Sequence, residues 1–415
     1  MSGLTTPTAP IDDLLSASTF AAGHPVELYD RLRRTSPVHW HDEPDGPGFF
    51  AVTRHADVRE VGRDHETFSS EPTIMITDPD TSSEEGSIFG DHKMMLMADP
   101  PYHTRLRRLI SKDFTPRSSK EMADRLAELA TQIVDEVIER GECDLVSDLA
   151  GEMPSYVIAE MMGIPLDDGR KLYLLTEKLH AAPGAVPEDE QRAALGEMFA
   201  YAAQVYGGKL EAPADDLSTA IINAEVDGDR LDHLDFMLFF LLLIDAGGDT
   251  TRNLVAGGME ALFRHPDQLA ALRADPDGLL PNAVEEMLRY VAPVIHMRRT
   301  ATVDTTIGGV DIAAGQKVVM YYGAANRDPE VFDDPERFDI TRSDAKHHIA
   351  FGGGGPHFCL GANLARLEIE ALLREMLARL DDLELVGPVT WQASNFISGP
   401  ASMPVRFTPG ERVGG

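Results

Sequence analysis

Apolar residues recur at three- and four-residue spacing along most of this chain, and alternate at two-residue spacing only in short stretches near the start and in the last third. The wider spacing predicts helices over Pro25–Arg34, Ala56–Arg63, His103–Phe114, Ser119–Arg140, Met153–Met162 and Asp167–His180, then Glu188–Leu210 and Leu217–Val226. Leu231 to Arg264 is the longest such stretch. It is apolar through its first half, as a helix buried on all sides would be, and Pro266 stops it. Asp267–Ala274, Leu279–Tyr290 and a run from Leu360 toward Leu380 follow as helices. Alternation predicts strands at Val38–His41 and Phe49–Thr53, several between 294 and 322 with turns at Gly308, Gly309 and Gly315, and more from Val386 onward. The pattern is that of a mainly α chain with a small β region.

One long segment has no period. Phe68 to Pro101 is rich in Pro, Asp, Ser and Gly, yet carries Ile74, Met75, Ile76, Ile88, Phe89 and four methionine or leucine residues from Met94 to Met97. An irregular, methionine-rich stretch predicts an adaptable apolar wall. Residues 1–23 read as a loosely ordered lead and 409–415 as a tail, with one domain over 24–408.

Composition narrows the setting. The chain has 415 residues, 43% of them hydrophobic, enough for a large core. Its two cysteines, Cys143 and Cys359, form no disulfide framework, as expected of a reducing cytoplasm. The N-terminal residues lack the basic start and apolar run of a signal peptide, and the longest apolar run, Phe236 to Ile244, is half what a spanning helix needs. A net charge of −32 disfavours nucleic acid and anionic membranes. Against that trend, Tyr102 to Arg117 holds Arg105, Arg107, Arg108, Lys112 and Arg117 with a single acid, Asp113. Such a basic island is a dock for an acidic partner.

The chemistry concentrates in four places. Phe351-Gly-Gly-Gly-Gly-Pro-His357-Phe-Cys359-Leu-Gly361 places one cysteine at the start of a helical pattern. Unpaired N–H groups there lower a thiol's pKa. A lone thiolate in a glycine-dense loop suits an axial haem ligand better than a tetrahedral metal site. His357, taken by itself, is either a second ligand or a group at the cofactor's edge. Ala246-Gly247-Gly248-Asp249-Thr250-Thr251 sets two glycines in the middle of the long helix, at roughly 1 kcal/mol each relative to alanine. They predict a widened turn that makes room for something, with an acid and a hydroxyl beside it. The bland alternative is a threonine bonded back onto its own helix and a solvated aspartate. Glu286-Met-Leu-Arg289 puts opposite charges on one helix face, alone no more than a surface pair. His103 and Arg107 share another face, and Arg299 could serve with them as partners for buried carboxylates.

Together these elements resemble the cytochrome P-450 family, whose cysteine loop reads Phe-Gly-x-Gly-x-His-x-Cys-x-Gly; here one extra glycine separates Phe351 from Cys359. The resemblance runs from about Pro25 to Phe407. It implies a mostly helical fold with haem b between the long central helix and the cysteine-loop helix. Cys359 would be the iron ligand, and His103, Arg107, Arg299 and His357 would bind the propionates. Phe351, Ala246 and Gly247 would touch the macrocycle. Asp249 and Thr250 would deliver protons, and Glu286, Arg289 and Arg337 would form a buried network behind the cysteine loop. The implied activity is insertion of one oxygen atom of O2 into a C–H bond. Electrons would come from a separate ferredoxin and its reductase, docking near Arg105, Arg108 and Lys112. A haem-binding sensor without turnover is the rival, and the Asp249–Thr250 pair argues against it.

Pocket walls are expected from Ile74, Met75, Phe89, Met95, Leu242 and Leu243, with Ala246, Ile295, His296, Phe396 and Ile397. The hinge of a cover over them is expected near Pro183. So apolar a set predicts an uncharged aliphatic ligand, with His296 as a candidate partner for one oxygen. Arg252 and Asn253 after the threonines resemble members acting on steroids and methyl-branched lipids. The Ser394–Pro400 stretch resembles terpene-oxidising members. A terpenoid or steroid skeleton is expected first and a branched fatty acyl chain second.

Overall fold

The structure, a computed structural model, describes residues 13–78, 92–179, 186–226 and 229–414. In chain order its helices are α1 Val26–Thr35, α2 His55–Arg63, α3 Tyr102–Ile110, α4 Pro116–Glu121, α5 Ala123–Ile138, α6 Glu152–Met162 and α7 Leu166–Leu179. Then come α8 Glu188–Glu211, α9 Leu217–Ile222, α10 His233–Arg264, α11 Pro266–Ala274, α12 Pro276–Val291, α13 Tyr322–Ala325 and α14 Ala362–Arg379. The main core lies where α5, α6, α10, α12 and α14 meet, with Leu129, Ile133, Met259, Met287 and Leu373 fully buried among them.

The β region is small, and part of it is two-stranded: β5 (Glu225–Val226) with β6 (Asp229–Arg230), β8 (Thr305–Ile307) with β9 (Val310–Ile312), and β12 (Thr390–Trp391) with β13 (Pro400–Ser402), while β11 (Glu384–Leu385) pairs with the last strand. Strands β1 (Val38–His41), β2 (Phe49–Val52), β3 (Phe68–Ser69), β7 (His296–Ala301) and β10 (Lys317–Tyr321) form one sheet in the order β1-β2-β10-β7-β3, with only β10–β2 parallel. In β7 alternate side chains face opposite ways, and this decides much of the site below. Strand β4 (Glu142–Asp144) pairs Cys143 with Val405 of β14 (Pro404–Arg406). Burial pushes the Cys143 thiol up to about 12, in keeping with a small packing residue.

Sequence pattern and structure part in places. The expected helix Ser119–Arg140 is two helices meeting at Met122, because Thr115 caps an earlier start at Pro116. The helix expected over Leu217–Val226 ends at Ile222. Of the expected lead, residues 13–23 are packed: Leu14 and Phe20 are buried, and the Leu14 N–H donates to His41 Nε2 at 3.0 Å. At the other end, the N–H groups of Val413 and Gly414 donate to Asp135 on α5.

The central helix α10 opens with a capping box. Asp232 accepts from the N–H groups of Leu234 and Asp235, and Asp235 accepts in return from the N–H of Asp232. From there it runs unbroken for 32 residues, through Gly247 and Gly248. The widened turn expected at the glycine pair is absent. Gly248 is needed for packing: a Cβ there would lie 2.9 Å from the Tyr173 ring of α7, so this glycine lets two helices approach.

Candidate active site between the central helix and the cysteine loop

A cavity with about 1760 Å³ of empty space, its mouth included, lies between α10 on one side and the cysteine loop and first turns of α14 on the other. Both chemical motifs read from the sequence open onto it: Ala246, Gly247, Asp249 and Thr250 from α10, and Phe351, His357 and Cys359 from the loop.

The loop is shaped by its glycines and by what lies behind it. Gly355 has φ +80°, and a Cβ there would come within 2.5 Å of the Gly62 carbonyl, so the loop lies directly on α2. The Cys359 N–H donates to the Phe351 carbonyl at 2.9 Å, closing the turn that aims the sulfur into the cavity. Burial pushes the thiol up; the Gly361 N–H and the charges of Arg107 and Arg366 pull the other way without prevailing. A metal cation on sulfur reverses that balance.

Beside the sulfur lies a cluster of donors. The His103 and His357 rings are 4.2 Å apart, and Arg107 and Arg299 line the same cavity. His103 is buried, and its Nδ1 has no hydrogen-bond partner among the described residues. Burial, aided by Arg107, lowers its pKa to about 4; burial, aided by Arg299, lowers His357 to about 2. The Arg299 guanidinium is 5% exposed and donates to the carbonyl of Arg298 at 2.8 Å. The orphaned imidazole nitrogen, the buried Arg299 and the half-buried Arg107 ask for anions. Two carboxylates of a flat apolar group would meet that need, and Cys359 would be the residue to hold its metal. The donor set fits haem.

Behind the loop, Glu286 and Arg289 are fully buried and paired at two points, with Arg289 Nε 2.7 Å from Oε2 and Nη2 2.8 Å from Oε1. Arg289 also donates to the carbonyls of Pro335, Asn326 and Arg337. The second arginine on Glu286 is Arg342, not Arg337. Arg342 Nε lies 3.2 Å from Oε2 and is buried, whereas the Arg337 side chain is 60% exposed beside Asp339 and contributes only its backbone carbonyl. The Asn326 side chain accepts from the Ile349 N–H at 2.8 Å, which carries the network into the cysteine loop. Glu285 adds a second tie, held by Arg366 and His348, and Arg366 sits 4.6 Å over the Phe351 ring.

On α10 the Thr250 hydroxyl donates to the Ala246 carbonyl at 3.1 Å, the helix-bonded form foreseen as the bland alternative, yet the residue still opens onto the cavity. Asp249 is 2% exposed, with Oδ1 3.5 Å from Arg252 Nη2, so it is not the solvated aspartate of that alternative.

The expected pocket residues divide. Met95, Leu242, Leu243, Ala246, Phe396 and Ile397 line the cavity. Ile74, Met75, Ile295 and His296 do not. Ile295 is in the core under the sheet, and His296 is turned behind the wall against Phe396 and Tyr321, its Nδ1 2.9 Å from the Asn395 carbonyl. Strand alternation is the reason: Met297 and Arg299 face the cavity, so His296 and Arg298 face away. Arg298 instead holds the 74–78 segment through the Ile76 carbonyl and Asp78. Phe89 and the hinge expected near Pro183 lie outside the described residues.

Three participants escaped the sequence pattern. Ser70, whose Oγ is 2.9 Å from His357 Nε2, and Asp99, which accepts from the Ser70 N–H, look like ordinary loop residues. Glu368 lines the cavity from α14, where burial raises it to about 8; its signal was a charge in phase with Leu364 and Leu372. Of the basic island, Arg108 and Lys112 are exposed, Arg105 is half-buried, and Arg107 turns inward to donate to the Phe358 carbonyl at 2.7 Å.

Comparison with known proteins agrees with this geometry. The family profile described as cytochrome P-450 matches residues 209–385. The chain is 36% identical over 394 residues to a steroid C26-monooxygenase of Rhodococcus jostii, covering 93% of this chain and 83% of that protein. It is 36% identical over 424 residues to a methyl-branched lipid omega-hydroxylase of Mycobacterium tuberculosis, covering 98% of each. A Mycobacterium marinum cytochrome P-450 solved in complex with pseudoionone superposes with a TM-score of 0.88 at 38% identity, covering 97% of this chain and all of that one. With identity of this extent and one fold shared throughout, the chain belongs to the cytochrome P-450 family, as a monooxygenase whose cofactor is protoporphyrin IX haem iron.

Proposed function

We propose that this monooxygenase hydroxylates an uncharged, largely aliphatic substrate with a steroid or terpenoid skeleton. A methyl-branched acyl chain is the second candidate. The observation that carries this reading is the separation of chemistry within the cavity. The cationic residues Arg107 and Arg299 gather near the cysteine loop, where two carboxylates would neutralise them. Leu242, Leu243, Val294, Met297, Phe396 and Ile397 offer a substrate only apolar surface. A carboxylate would meet no cation among these six side chains. The names of the steroid- and lipid-acting relatives support the same substrate classes.

When bound, haem supplies activation of dioxygen and its transfer to carbon. The chain's own residues do the rest. Cys359 holds the iron, and His103, Arg107, Arg299 and His357 orient the carboxylates. Asp249 and Thr250 hold a carboxyl and a hydroxyl at the cavity edge, where protons must arrive. The apolar wall excludes bulk water. Electrons enter on the cysteine side from a small acidic iron–sulfur protein, drawn to Arg108 and Lys112 on a chain whose overall net charge is −32. No helix among the described residues is long and apolar enough to cross a membrane.

Titrating the ferric protein with testosterone, pseudoionone and a methyl-branched fatty acid, read as a spin-state change, tests the substrate class. Steroid or terpenoid probes are expected to displace water from the iron at lower concentration than the acid. A preference for the acid would move the second candidate to first place. A reduced carbon monoxide spectrum without the sulfur-ligated band would remove the reading altogether.

A further inference from the structure

Among the apolar residues that α10 presents to the cavity stands one acid with no part in the roles above. Leu242, Asp245 and Asp249 fall at i, i+3 and i+7, the spacing of one helix face, and all three line the cavity. Asp245 is half-buried, follows Leu242, Leu243 and Ile244, and lies one turn before Asp249. Two acids four residues apart on one face weaken a helix, and a carboxylate in an apolar wall gives up hydration. A position that breaks both local rules is expected to serve a function. The cavity's two arginines are occupied elsewhere: the ionisable groups of opposite charge that act on them are Cys359 for Arg107, and Tyr322 and Asp99 for Arg299.

Two carboxylate oxygens offer about four acceptor sites and no donor, so Asp245 can keep a contact inside the protein and still receive an O–H from a ligand. To a ligand carboxylate it offers repulsion, and to a ketone, which lacks a donor, nothing. An uncharged skeleton bearing a hydroxyl satisfies the acid and the apolar residues about it together. The placement also orients such a ligand. Asp245 precedes Thr250 by five residues, about 7.5 Å along the axis at roughly 1.5 Å per residue. A hydroxyl held at Asp245 keeps its own end of the skeleton away from Thr250 and turns a remoter carbon toward it.

We propose that Asp245 is a specificity-determining residue that accepts a hydrogen bond from a substrate hydroxyl, so that the alcohol of a terpenoid or steroid skeleton is preferred over its ketone, aldehyde or acid. This rests on the cavity's being a site for an uncharged skeleton, and it narrows that class to alcohols.

Haem-loaded wild type, Asp245→Leu and Asp245→Asn are titrated with farnesol, its aldehyde, its carboxylic acid and its trimethylammonium analogue, and with testosterone against the ketone formed by oxidising its hydroxyl. The readout is the midpoint of the spin-state change. Wild type binds each alcohol about tenfold tighter than its carbonyl counterpart, and binds the acid most weakly. In Asp245→Leu the alcohol midpoints rise about tenfold while those of the aldehyde and ketone move by less than about twofold. Asp245→Asn, whose amide can donate, brings alcohol and carbonyl compound within about threefold of each other and improves binding of the acid. It carries the test should the leucine variant fail to load haem. Equal alcohol and carbonyl midpoints in wild type, or an undiminished preference in the variants, would overturn the role of Asp245 and leave the uncharged-skeleton reading in place. Tighter binding of the ammonium analogue than of farnesol would overturn it in favour of a cationic ligand. Tightest binding of the acid would overturn both readings.

Discussion

The two walls of the cavity are held in opposite ways. On the cysteine side, position is set by polar groups whose hydrogen bonds are nearly all made. Arg289 alone joins Glu286 and three backbone carbonyls, and Asn326 passes the tie to Ile349. On the substrate side, the side chains of Leu242 and Leu243 from α10, and of Val294, Met297 and Ile397 from the β region, have only van der Waals contact to offer. A hydrogen-bonded ionic network has one good geometry and fails when a member is lost. An apolar wall tolerates exchange of one shape for another at modest cost. One wall fixes the path of the cysteine loop, and the other accepts a change of contour at modest cost.

The largest expected break in this contrast is Glu286→Ala. It leaves Arg289 and Arg342 as buried charges without their acid, a loss of about 3–5 kcal/mol, and little haem-loaded protein should be recovered. Normal haem content would refute the role of that wall. Acidification should reach the same wall through Glu285. Burial raises its pKa, but Arg366 and His348 outweigh burial and bring it from 4.5 down to about 2. Because the folded-state value is depressed, its contribution is present above pH 4.5 and is lost as the pH falls from there toward 2. The difference is worth about 3 kcal/mol. Stability measured by denaturant titration at pH 5 and pH 3 should show a drop that Glu285→Gln abolishes.

A paired test separates the two arginines near Glu286. Arg342→Ala should cost about 3 kcal/mol and Arg337→Ala no more than about 0.5 kcal/mol, read as midpoints of thermal unfolding. Equal effects would restore Arg337 to the network. Across the cavity, Thr250→Ala should leave folding and haem content intact but lower coupling about tenfold, with peroxide as the alternative product. Unchanged coupling would mean that the hydroxyl does no more than bond back to Ala246. Smallest of all, Met297→Leu should change stability by under about 1.5 kcal/mol while reordering the affinities of steroid, terpenoid and acid probes.

The same contrast governs what the sequence could disclose. The cysteine loop and the Asp249–Thr250 pair stand out because their residue types are unusual where they stand: glycines in a row, an acid and hydroxyl in an apolar helix. The Glu286–Arg289 pattern is common by chance and gains meaning only from its place ahead of the cysteine loop. Helix type was legible from spacing, and boundaries slipped where a cap such as Thr115 won. What stayed hidden depends on direction in space. Arg337 and Arg342 are five residues apart in one irregular stretch, and only the folded path shows which points at Glu286. Ile74, Met75, Ile295 and His296 have the right composition for a pocket but face elsewhere. The glycine pair suggests a widened turn that the structure lacks; Gly248 instead leaves room for the Tyr173 ring.

The alternation in β7 has a practical corollary for anyone wishing to redirect this catalyst. Saturation libraries at Val294 and Met297 would sample new contours around the ligand. Randomising the neighbours His296 and Arg298 would mainly yield misfolded clones, since the latter secures the 74–78 segment by Ile76 and Asp78. A deletion of one residue in this strand would exchange the two sets at a stroke, so evolution of specificity here should proceed by replacement and not by change of length.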